Sequence, residues 1–94
     1  MNYDIIITNL EQASQALQDT ILKIQKQKNI LDDETIEDEF EVNLQHIYHH
    51  LNVAWNARRA SIQKYRNMKD ADFNEWSKYP LLEPYSMEEI NPLS

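Results

Sequence analysis

The chain has 94 residues, a formal net charge of −7, and neither cysteine nor glycine. Without cysteine there are no disulfides, no thiolate chemistry and no zinc site of the usual cysteine-built kind; without glycine there is no phosphate-cradling loop, no dinucleotide fingerprint and no G-x-S-x-G elbow. With 41% hydrophobic and 27% charged residues the composition is that of a folded chain, although a single domain this small buries a modest share of its surface and gains stability from association.

The opening MNYDIIITNLEQ holds an apolar-rich run from Ile5 to Thr8 between Asp4 and Glu11. It is too short for a signal peptide or a membrane span, which with the missing cysteines leads us to expect a cytoplasmic protein that touches no membrane. Ile6, Leu10, Ala13, Leu17, Ile21, Ile24 and Leu31 come next, mainly at intervals of three and four, with glutamines between them. That periodicity predicts a first helix over residues 4–29.

NILDDET then breaks the pattern. Asn29 can take a left-handed helix end, and Asp32, Asp33 or Thr35 can cap the next helix. Ile36, Phe40, Leu44, Ile47, Leu51, Ala54, Arg58, Ile62 and Tyr65 resume the stripe, and no proline stands before Pro80. This predicts a second helix over 35–68, about 50 Å long at 1.5 Å per residue. Two such antiparallel helices leave one flank of their stripes open, and pairing two hairpins into a four-helix bundle closes it. The expected fold is therefore all-α, a long helical hairpin that forms a homodimer.

Charge is distributed on the same plan. Residues 1–31 sum to zero, 32–41 to −7, 42–69 to +5 and 70–94 to −5. Acid at the start of the second helix and base at its end suit the helix dipole. A turn near residue 32 lays Lys23, Lys26 and Lys28 beside Glu37 to Glu41, and an antiparallel dimer of second helices sets acidic starts against basic ends.

DADFNEWSKY predicts a short third helix, with Phe73, Trp76 and Tyr79 on one side. All three prolines lie in the stretch after it, so the chain divides into a helical domain over 1–79 and a proline-containing tail over 80–94 that either covers the bundle's open flank or is captured by a partner.

Chemistry concentrates in HIYHHLNVAWNARR, residues 46–59. His46 and His50 stack one turn apart, and Glu39 falls within about 40° of them at 100° per residue, so these three are the candidate metal ligands. The Glu-x-x-His pair of di-metal bundles is missing, and so is H-E-x-x-H. No catalytic residue and no cofactor is assigned. Arg58 interrupts the apolar stripe, and a turn near 32 brings it level with residues 7–11, where Glu11 or Asp4 would pair with it. Arg58, Arg59, Lys64, Arg66 and Lys69 form a basic run, but the net charge of −7 opposes nucleic-acid binding. Tyr48, Trp55, Arg58, Trp76 and Tyr85 are the candidate interaction residues.

The function expected from these features is non-catalytic: a small protein–protein interaction module, an adaptor, regulator or inhibitor, acting as a homodimer with an unidentified protein partner. The alternatives are a metal-binding bundle using Glu39, His46 and His50, and an acidic inhibitor that imitates nucleic acid.

Overall fold

A computed structural model describes residues 1–78. The predicted tail over 80–94, with Tyr85, lies outside them, as does Tyr79 of the predicted third helix. Helix α1 spans Tyr3–Gln27, α2 Asp33–Asn56, α3 Ile62–Arg66 and α4 Asp70–Trp76. No strand occurs among the described residues, and no helix there is long and apolar enough to cross a membrane. The two long helices pack along each other as an antiparallel hairpin, and α4 docks on α2.

The starts of α1, α2 and α3 are each capped by a short polar side chain. Asn2 accepts from the Ile5 amide, Asp32 from the Thr35 amide at 2.8 Å and Ser61 from the Lys64 amide. These bonds satisfy amides that the first helical turn leaves without a partner. The hairpin turn needs no left-handed residue, contrary to the role expected of Asn29, because no described residue has a positive φ. Instead the amides of Ile30 and Leu31 both donate to the Gln27 carbonyl, which winds the chain tightly off the end of α1.

The second helix ends twelve residues before the expected limit of 68, at Asn56. Neither proline nor glycine stops it. The Arg58 carbonyl accepts from the Asn2 amide at 2.6 Å, and the Ala60 carbonyl accepts from Asn2 Nδ2 at 3.1 Å. Those carbonyls are spent on the start of α1 rather than on a continuing helix. Ser61 then caps the separate helix α3.

The main core sits at this end. Ile5, Val53, Ala57 and Trp76 are buried together, and Ala60, Ile62 and Tyr65 pack around them. The Tyr65 and Trp76 rings lie 5.9 Å apart between centroids. Along the rest of the hairpin the inner face of α1 carries Asn9, Ala13 and Thr20, all buried. Small and short polar residues let the two backbones lie close, which shifts the larger apolar residues of the predicted stripe to one flank.

Candidate functional site

Three features bear on function: a histidine cluster on one side of the hairpin, an apolar flank on the other, and a latch holding α4.

His46 and His50 stand one turn apart on α2, and their Nε2 atoms are 3.0 Å from each other. His50 Nδ1 lies 3.1 Å from Asn9 Oδ1. The buried Asn9 amide group donates to the Ile5 carbonyl and to the Tyr65 hydroxyl, so its Oδ1 is the atom left to accept from His50. His50 therefore carries its proton on Nδ1. Burial is the main cause that lowers the pKa of His50, followed by the neighbouring His46 and His49, so the neutral ring is favoured. His49 is lowered in the same way, by burial first and then by His46. Its Nδ1 meets the Ser77 hydroxyl at 3.1 Å, and its ring lies 5.1 Å from Phe73.

Glu39 does not join the histidines. It lines a separate groove with Lys23, Asp38, Val42 and Asn43 nearer the turn, and its Oε2 is buried without a hydrogen-bond partner. Among the described residues no group of three or more His, Asp or Glu side chains is placed to hold a metal ion. The groove beside His46 and His50, about 500 Å³, is lined instead by Asn43 and, from α1, by Gln12, Gln15, Ala16, Asp19, Thr20 and Lys23. It is the polar side of the hairpin.

The opposite side is apolar. Asn2 stands opposite Arg58 and Asn9 opposite His50. In this register Leu10 is level with Leu51, Leu17 with Leu44 and Ile21 with Phe40. Relative to the direction in which each helix meets its partner, these residues lie roughly 90° further round their own helix. The helices are antiparallel, so equal rotations bring both rows to one side. Leu10, Leu17, Ile21, Phe40, Leu51 and Trp55 are between 39% and 54% exposed, and Ile7 is 51% exposed. A contiguous apolar face of this length is unusual for a side left in water.

Arg58 makes no ion pair with Glu11 or Asp4. The contacts within 4 Å among the described residues are Lys64 with Asp72 and Lys78 with Glu75. The lysines of α1 likewise make no ion pair within 4 Å with the acids of α2 at the turn end, although Lys23 lines one groove with Asp38 and Glu39. The tight turn shifts the register, setting Arg58 level with Asn2 rather than with residues 7–11. Its guanidinium donates to the Trp55 carbonyl at 2.7 Å and lies 3.9 Å from the centroid of the Trp55 ring. Tyr48 is half exposed beside the apolar rungs and borders a groove with Phe73 and Ser77. Trp76 is buried in the core.

Asn52 and Asn56 lie off the apolar stripe of α2, yet they hold α4 in place. Asn52 donates to the Ser77 carbonyl, and Asn56 donates to the carbonyls of Trp76 and Lys78. With Asn9 they are the residues that periodicity missed. Their spacing of four, on the side of α2 away from its apolar stripe, was the signal that could have found them. Comparison with protein-family models, curated proteins and solved structures finds no match to this chain.

Proposed function

We propose that this protein is a small, non-catalytic protein–protein interaction module, an adaptor, regulator or inhibitor of the cell interior, that acts as a homodimer. Two hairpins pack their apolar faces together into a four-helix bundle. The observation that carries this reading is the continuous face of Leu10, Leu17, Ile21, Phe40 and Leu51, exposed in the single chain, with the half-buried Leu44 among them. Water is a poor neighbour for that face, and a second copy presents the same surface.

Charge supports a copy of itself as the occupant. Glu37 and Glu41 edge the face near the turn by their spacing on α2, whereas Arg58, stacked on Trp55, stands just past the other end of α2. A two-fold axis through the middle of the face, with the second helices antiparallel, sets each acidic edge against a basic one. A parallel arrangement sets like charges together. Trp55, with Arg58 stacked on it, then falls at the rim of the interface, where it adds an aromatic and arginine pair of the kind that recognition favours.

Sedimentation at micromolar concentration tests this directly. The wild type runs as a dimer, and Leu17→Glu runs as a monomer that keeps its helical circular dichroism. A stable wild-type monomer over the same range overturns the reading.

A further inference from the structure

We propose that His46 and His50 form a two-nitrogen chelate for a divalent transition ion of tetragonal preference, copper(II) or nickel(II). The two Nε2 atoms converge to 3.0 Å across one helical turn. Two metal–imidazole bonds of about 2.1 Å at roughly 90° span about 3.0 Å, whereas a tetrahedral angle requires about 3.4 Å. The spacing thus suits square-planar or octahedral ions, the geometry that nickel(II) and copper(II) prefer with imidazole ligands.

Asn9 supplies the supporting contact. By accepting from His50 Nδ1 at 3.1 Å it orients the ring and leaves the Nε2 lone pair free. Asn9 is itself held by its two donations, to Ile5 and Tyr65. A hydrogen-bonded partner behind the ligating imidazole is what a metal-binding histidine requires. Without metal, His46 Nε2 donates its proton to His50 Nε2. On binding, that proton moves through solvent to His46 Nδ1 and the ion takes its place, so net protonation is unchanged. Water occupies the other coordination positions, and the carboxylate of Asp19 lines the same groove.

This site lies on the polar side of the hairpin, away from the proposed dimer face, so either proposal can fail while the other stands. The test is calorimetric titration of the full chain, without a purification tag, with nickel(II), copper(II), zinc(II) and magnesium(II) at neutral pH. We expect one nickel or copper ion per chain, weaker zinc binding and no magnesium binding. His46→Gln or His50→Gln abolishes binding, His49→Gln retains it, and Asn9→Ala weakens it about 10–100-fold. Copper(II) paramagnetic resonance shows two imidazole nitrogens in the wild type. Wild-type protein that takes up no nickel or copper at millimolar ion overturns the proposal, as does unchanged affinity in folded His46→Gln. Zinc binding tighter than both nickel and copper overturns the tetragonal assignment.

Discussion

The two ends of the hairpin are built differently. At the end that holds the N-terminus, α3 and α4 fold over the long helices, bury Trp76 with Ile5, Val53 and Ala57, and tie themselves down through Asn2, Asn9, Asn52 and Asn56. At the turn end the same two helices run on with Ile21, Leu22, Ile30, Phe40 and Val42 exposed, and a bond from Asp32 caps the start of α2. One end buries a core of its own within a single chain, although Ile7, Leu10, Leu51 and Trp55 beside it stay exposed. The other carries exposed apolar surface and no comparable core.

The contrast can be broken most severely at the closed end. Trp76→Ala removes the largest buried side chain of the core and should cost about 3–5 kcal/mol, read as a lower denaturant midpoint. Circular dichroism should show helix loss exceeding the seven residues of α4, because Ile5 and Val53 lose their cover. If stability falls by less than about 1 kcal/mol, α4 is an accessory rather than a lid.

Leu17→Glu addresses the open face. Placing a carboxylate at the middle of an apolar contact should weaken dimerisation at least a hundredfold, about 2.8 kcal/mol, while a monomeric hairpin persists. Equal sedimentation of mutant and wild type would move the interface elsewhere.

Acidification should act mainly on the closed end. The pKa values of His49 and His50 are lowered from 6.5 in the folded chain, so the unfolded chain binds more protons as pH falls below about 6.5. The stability these rings contribute is therefore complete above that value and is lost as pH falls through their lowered folded values. Thermal unfolding in metal-free buffer should show a falling midpoint below about pH 6.5. His49→Gln should flatten the dependence, since its ring rests on Phe73 and Ser77 of the α4 region. A pH-independent midpoint would remove the histidines from the account of stability.

The smallest effect belongs to the turn. Ile30 is 79% exposed, and Ile30→Ser should change stability by less than about 0.5 kcal/mol. A larger loss would reveal that the turn end has a core of its own.

Much of this contrast was legible in the sequence, and the illegible part has a consistent cause. The helix of residues 4–29 and the break after it come from spacing and from the polar run NILDDET, and α1 and the turn stand within two residues of that expectation. The stripe of Leu10, Leu17 and Ile21 was also visible. Which neighbour it faces was not, because a periodic row specifies a face without specifying what lies against it. The first helix turns Asn9, Ala13 and Thr20 toward α2 and leaves the leucines on the flank. The stacking of His46 on His50 comes from their spacing of four. Asn9 as the residue behind His50 does not, since the two are separated by 41 positions.

What the sequence determined by itself was local: helix content from periodicity and glycine's absence, the start of α2 from its capping residues, and the segregation of acid and base between residues 32 and 69. Tertiary structure decided where α2 stops, because the carbonyls of Arg58 and Ala60 bond to Asn2 from the far end of the chain. It also decided the neighbours of Arg58, because a tight hairpin turn slides one helix past the other and replaces a carboxylate with the Trp55 ring. Local propensity reaches about one helical turn along the chain, whereas the Asn2 contacts join residues 56 and 58 positions apart.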